Sequence, residues 1–277
     1  MSIDRVRSLL FAPGSDERKL HGSLAAGADA VIWDLEDGVA PAEKAAARSR
    51  VASLLVGDAP PPTLRLVRIN GHGTAEQAAD VEALAGLRFD GIVLPKATTE
   101  AVSALELGDI PLLALVESAA GLRDATELAT SGRVDALLFG ALDLAAELRL
   151  EPLPDAQELL SYRAQLVLSS ALGGLAGPFD SPSVHIHDTD ALHDDCRRAR
   201  GLGFRGKACI HPAQVPVVHA AFAPTAAEIA WAREVVDAFE AAEASGAGVA
   251  LAAGQMIDRP VVDRARRLLG DAERSSG

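Results

Sequence analysis

Short hydrophobic runs recur along the chain. Each ends abruptly in a polar residue, a proline or a glycine, and each is followed by a stretch compatible with a helix. In order they are SLLFAPG, AVIWDLEDGV, LRLVRING, GIVLPK, PLLALVES, ALLFGALDLA, LGGLAGPFDSP and GKACIHP. The runs are nearly all apolar, as expected of strands buried on both faces. The stretches between them carry helix signals. Gly27 is a plausible stop for DERKLHGSLAAG, Pro41 opens PAEKAAARSRVASLLVG at a first helical turn, and Thr74 with Gln77 matches a capping box.

Eight strand-like runs alternating with helices predict a parallel sheet covered by helices. About 250 residues is the usual size of a (β/α)8 barrel, and this chain has 277. An open doubly wound sheet is the rival, but no GxGxxG turn follows the first run. The expected architecture is therefore an α/β fold, a (β/α)8 TIM barrel over residues 1–222. A C-terminal helical extension over 223–277 follows it. The extension reads as two helices, AAEIAWAREVVDAFEAAEA and RPVVDRARRLL, joined by the Gly-rich GAGVALAAGQMID and ending in a frayed DAERSSG. It exceeds the barrel's needs and would cap the mouth or reach a neighbouring subunit. GDAPPP at 57–62 is a Pro-rich turn, too brief for a domain linker.

Composition narrows the partners. Acidic residues outnumber basic ones 39 to 26, for a formal charge of −13, and such a surface repels phosphate backbones and anionic lipid heads. One Tyr and two Trp leave little for base stacking. Nucleic acid and membrane surfaces are thus excluded as partners. Cys196 and Cys209 have no disulfide-framework or zinc-finger spacing and read as reduced thiols. The N-terminal stretch lacks the long apolar region of a signal peptide, and no run approaches a membrane span. A soluble, cytoplasmic protein is expected.

In a barrel the carboxyl ends of the strands converge on one mouth. That gathers the carboxylates Glu36, Asp37, Glu117 and Asp143 with the cations Arg68 and Lys96. Glu117 and Asp143, at the ends of the fifth and sixth runs, suit Mg²⁺, which takes a few carboxylates and keeps part of its water shell. Each carboxylate could instead cap the helix that follows it. Arg68 suits a substrate carboxylate held bidentately, or a partner role for Glu36 or Asp37. Lys96 raises Schiff-base chemistry, although an acidic mouth would hold its pKa up when an amine nucleophile needs it lowered. His185 and His187 are placed in a loop or on the surface, lacking the further ligands zinc would need. His211 reads equally as a structural residue or a ligand, and Cys209 as an inert buried thiol.

RSLLFAPG, DLEDGV, VRING, LPK, LVESAAGL, FGALDL and GFRGKACIHPAQ, in this order, resemble the citrate lyase β-subunit (CitE)-like family. That family belongs to the aldolase/citrate lyase group that includes malyl-CoA and citramalyl-CoA lyases. The likeness runs from about Arg7 to GQMIDRPVVDRAR in the tail. The resemblance implies a (β/α)8 barrel assembled as a homotrimer or homohexamer, with Mg²⁺ at the mouth. It implies carbon–carbon cleavage or condensation between an acyl thioester, CoA in type, and a 2-oxo acid or related carbonyl compound. Glu117 and Asp143 match the metal ligands, Glu117 thereby facing substrate, and Arg68 the substrate-binding arginine. Glu36 and Asp37 match acidic residues lining the site. Asp258 matches an aspartate that crosses from the adjacent subunit in some members to act in acid/base chemistry. Alternatives are a metal-dependent aldolase on free 2-oxo acids and a subunit active only with an acyl carrier protein.

Overall fold

The structure is a computed structural model describing residues 3–56, 63–106, 108–244, 250–252 and 255–276. The turn expected at 57–62 lies outside the described residues. Two compact units make up the chain, Met1–His219 and Ala220–Gly277.

Eight parallel strands close the first unit into a barrel: β1 (Ser8–Pro13), β2 (Ala30–Asp34), β3 (Leu64–Arg68), β4 (Gly91–Leu94), β5 (Leu112–Val116), β6 (Ala136–Phe139), β7 (Phe179–Asp180) and β8 (Gly206–Cys209). They pair in chain order, and β8 returns to β1 through Ser8↔Lys207, Leu9↔Ala208 and Leu10↔Cys209. Between strands run α1 (Glu17–Leu24), α2 (Lys44–Leu55), α3 (Ala75–Leu84), α4 (Thr99–Ser103), α5 (Ala119–Thr130), α6 (Ala141–Leu148), α7 (Leu160–Leu172) and α8 (Thr189–Leu202), with α9 (Val215–Phe222) after β8. The chain is thus a (β/α)8 TIM barrel with a C-terminal helical extension.

Strand residues alternate between the barrel interior and the helix layer. Leu9, Ala30, Ile32, Leu64, Leu66, Val93, Leu113, Leu115, Ala136, Leu138, Phe179 and Ala208 form the buried interior, drawn from all eight strands. The opposite parity packs against helices and includes fully buried Trp33, Phe139 and Lys207. Two steps beyond the interior layer come Asp34, Arg68, Glu117, Gly140, Ser181 and Ile210. These face the mouth, and helix caps sharpen the turns around it. Asp16, Thr74, Thr98, Ser118 and Asp188 each accept a backbone N–H of the helix they open.

Four local expectations are corrected. Pro41 opens a 3₁₀ turn, Pro41–Glu43, and α2 starts at Lys44. The seventh run is mostly not strand: Leu172 closes α7, and Gly174 and Gly177 take positive φ before the two-residue β7. In the second unit, α10 (Ala226–Ala244) and α11 (Arg259–Ser276) are the expected helices, but α11 continues through the segment expected to fray. The joining segment contains an antiparallel pair, β9 (Ala250–Ala252) and β10 (Gln255–Ile257). Ala232, Val235, Ile257, Val262 and Ala265 form this unit's core.

Candidate active site at the barrel mouth

The segment after β2 is built around Asp34. Its carboxylate receives Nε and Nη2 of Arg68 at 2.7 Å each, the Glu36 N–H at 2.9 Å and the Gly38 N–H at 2.8 Å. A side chain at position 38 would collide with Asp34 Oδ2, which explains the glycine of DLEDG. Lys44 ties the same turn down by donating to the Leu35 and Glu36 carbonyls and to Asn70 Oδ1. Arg68 also lies 5.1 Å from the centre of the Phe11 ring. Burial alone would lower the Arg68 pKa. The Asp34 bond and the charges of Asp34, Glu36 and Glu117 outweigh it, so the guanidinium stays charged.

Glu36 lies between two cations. Oε1 accepts from Lys96 Nζ at 3.0 Å, and Oε2 is 3.0 Å from Arg68 Nη1. The second contact is short but badly directed, so buried Oε2 lacks a hydrogen bond. Lys96 has φ +48, and its backbone N–H donates to Glu117 Oε1 at 2.9 Å. Burial lowers the Lys96 pKa, but the bond to Glu36 and the charges of Glu36, Glu117 and Asp37 raise it overall. A lysine held cationic in this way is a counter-ion, and a poor amine nucleophile.

Glu117 follows β5 directly and is buried. Asp143 stands elsewhere than expected, in the first turn of α6 four residues past the end of β6. Burial pushes the Glu117 carboxyl up, the Lys96 N–H and charge pull it down, and the charges of Glu36 and Asp143 push it further, to about 7. Carboxylates that crowd each other in this way are short of positive charge. A hydrated divalent cation fits the set: Glu117 and Asp143 as direct oxygen donors, and Glu36 Oε2 as acceptor for a water of its shell. Among the described residues no three His, Cys, Asp or Glu gather as an all-protein cage. Mg²⁺ requires none.

A cavity of about 390 Å³ opens over this layer. Asp34, Asp37, Arg68, Glu117 and Asp143 line its polar side, and Phe11, Leu115, Leu138, Leu142, Ala208 and Ile210 its apolar side. An anionic head against Arg68 with an apolar body behind it matches this division.

Glu36, Asp37, Arg68, Lys96, Glu117 and Asp143 are thus brought to one mouth. Asp37 is exposed, 3.9 Å from Lys96 Nζ. Asp258 belongs to the second unit, where its Oδ1 accepts the Val261 N–H in the first turn of α11. His211 is a structural residue: Nδ1 accepts the Ala213 N–H, and Gln214 completes the turn. The thiols of Cys196 and Cys209 are buried and pushed up to about 12, hence inert. The expectations left out Asp34 as the Arg68 anchor and Ser181. Strand parity finds both, once β2 is taken to end at Asp34 and Phe179 of β7 to face the interior.

Comparison with known proteins extends this picture. The HpcH/HpaI aldolase/citrate lyase family model matches residues 7–212. A (3S)-malyl-CoA thioesterase of Cereibacter sphaeroides is 38% identical over 271 residues, covering 96% of this chain and 94% of the relative. Citrate lyase subunit beta of Escherichia coli is 34% identical over 284 residues, covering 97% and 94%. The crystal structure of CitE from Mycobacterium tuberculosis in complex with magnesium, acetoacetate and coenzyme A superposes with a TM-score of 0.84 at 36% identity, covering 98% of this chain and all of that one. No helix among the described residues is long and apolar enough to cross a membrane. By the family model and by relatives along nearly its whole length, this chain belongs to the HpcH/HpaI aldolase/citrate lyase family.

Proposed function

We propose that this protein is a Mg²⁺-dependent carbon–carbon lyase. Its substrate is a 3-hydroxyacyl-CoA thioester, cleaved to an acyl thioester and a 2-oxo acid or related carbonyl compound. The observation that carries the reading is the juxtaposition, on one cavity wall, of the Glu117–Asp143 pair with the anchored, permanently charged Arg68. The M. tuberculosis CitE complex with magnesium, acetoacetate and coenzyme A supports the ligand classes.

Glu117 and Asp143 would hold the ion, and Glu36 would orient its water. Bound there, the ion supplies Lewis acidity at the oxygen on the carbon that becomes the carbonyl. Arg68 grips the carboxylate and stabilises charge as it develops. The hydroxyl proton passes to a mouth carboxylate as the carbon–carbon bond breaks, and its electron pair moves onto the thioester as an enolate. Protonation of that enolate completes cleavage, the role we assign to Asp258 of this or a neighbouring copy in a homotrimer or homohexamer.

A second reading is thioester hydrolysis, favoured by the identity with the malyl-CoA thioesterase. One experiment separates the two. Malyl-, citramalyl- and citryl-CoA are incubated with Mg²⁺ or EDTA, and carbonyl product and free CoA thiol are measured separately. Carbonyl without thiol, lost in EDTA, is the expected result. Thiol without carbonyl would replace lysis by hydrolysis. No turnover of any thioester would overturn both and leave a carrier-protein substrate or a free 2-oxo acid.

A further inference from the structure

Helix α6 carries Asp143 in its first turn, yet nothing at its own N-terminus caps it. The N-cap residue is Gly140, without a side chain to accept a helix N–H. A side chain cannot be placed there, because a Cβ at position 140 would collide with Glu117 Cβ and lie 2.9 Å from Glu117 Oε2. The packing that seats Glu117 thus deprives the neighbouring helix of its cap. Five other helices of the barrel unit have one.

A hydroxyl from another strand fills the gap. Ser181 Oγ, just past β7, accepts the Ala141 N–H at 3.2 Å. Ser181 is only 4% exposed and lines the same cavity as Asp143. Its own placement is unusually well fixed for a residue after so short a strand. β7 has a single register pair with β6 and two with β8. Behind the sheet the adjacent Asp180 is held by Arg163 Nε at 3.0 Å, Arg163 Nη2 at 3.1 Å and Lys207 Nζ at 2.7 Å. Asp195 closes the cluster 2.6 Å from Lys207 Nζ. Four buried or nearly buried charges, two of each sign, thus pin β7 where few ladder bonds do.

We propose that Ser181 is a positioning residue for the metal site. It supplies from β7 the cap that Gly140 cannot, and so holds the first turn of α6 where Asp143 meets the ion carried by Glu117. The proposal rests on the reading of Asp143 as a metal ligand.

The test is calorimetric titration of Mg²⁺ into the full-length protein and its Ser181→Ala, Ser181→Cys, Ser181→Thr, Asp143→Asn and Ser181→Ala/Asp143→Asn variants. Far-UV circular dichroism checks the fold of each. Removing a partner outside the ligand shell weakens metal binding typically by 10–100-fold. The dissociation constant should therefore rise about tenfold in Ser181→Ala and Ser181→Cys and stay within about threefold of wild type in Ser181→Thr, which keeps the hydroxyl. Asp143→Asn should lose binding, and adding Ser181→Ala to it should change nothing further. If Ser181→Ala does not fold, the cysteine and threonine variants decide. Affinity within twofold of wild type in Ser181→Ala, or equal weakening in the cysteine and threonine variants, would overturn the proposal while Asp143→Asn still loses the metal. Wild-type affinity in Asp143→Asn would instead remove the reading beneath it.

Discussion

Asp34 and Arg68 are register partners on adjacent strands β2 and β3, and their side chains close a two-pronged ion pair with both arms at 2.7 Å. Strand pairing and charge pairing therefore fix the same guanidinium, leaving Nη1 for Glu36 and the cavity. Arg68→Ala should lower kcat/KM by about 10²–10³-fold, the usual cost of one charge-stabilising donor. Asp34→Asn keeps the shape but loses the charged fork, and should lose activity by a smaller factor together with a lower melting temperature. Steady-state kinetics and thermal melts check both. Wild-type behaviour of Asp34→Asn would mean that the fork does not position Arg68.

Lys96 bridges Glu117 through its backbone and Glu36 through its side chain, and the surrounding carboxylates raise its pKa. Treating the protein with pyruvate and borohydride should therefore leave Lys96 unmodified by peptide mass spectrometry. A trapped pyruvyl adduct on Lys96 would replace metal chemistry by Schiff-base chemistry.

The barrel was legible because its strands are buried on both faces, so that each appears as a compact apolar run. The mouth was legible because polar residues end those runs. What escaped was phase and distance. AVIWDLEDGV read as one run hides that β2 stops at Asp34, the residue in phase with interior Ala30 and Ile32. Asp143 belongs to a helix turn whose apolar residues continue the strand's composition. The cluster of Arg163, Asp180, Asp195 and Lys207 joins elements up to 44 residues apart with no local pattern to announce it. The β9–β10 pair is made of a segment with no alternation to mark strands.

At the opposite end of the barrel, Asp29 accepts the Arg7 N–H at 2.7 Å and the Ser8 N–H at 3.2 Å. His219 Nε2 lies 3.2 Å from the same oxygen. Burial raises the Asp29 pKa, but the His219 bond, the Arg7 N–H and the charges of His219 and Arg7 bring it below its ordinary value of 3.8. With a folded value below the unfolded one, the unfolded chain binds more protons as pH falls. The stabilisation is complete above about 3.8 and is lost as pH drops through the lower folded value. Asp29→Asn should lower stability at pH 7 by about 1.5–3 kcal/mol, the worth of hydrogen bonds to a charged group. It should also flatten the acid limb of a urea-stability profile. An unchanged acid limb would show that Asp29 is not linked to folding.

Lys207 is 1% exposed and Asp180 0%; Arg163 and Asp195 complete the inner set of four, and the more exposed Arg198 lies 3.3 Å from Asp195 at its edge. Forming such a cluster confers little net stability, since desolvation offsets attraction, but removing one member strands the opposite charge in a dry place. Lys207→Met should therefore cost about 3–5 kcal/mol. Asp180 would keep only Arg163, and Asp195 would lose its 2.6 Å partner. Replacing Lys207 and Asp195 together by Met and Leu removes one charge of each sign and should recover much of that loss. Equilibrium urea unfolding of both variants measures the difference. A single variant as stable as wild type would mean that the cluster is solvated in solution, and β7 would then need another anchor.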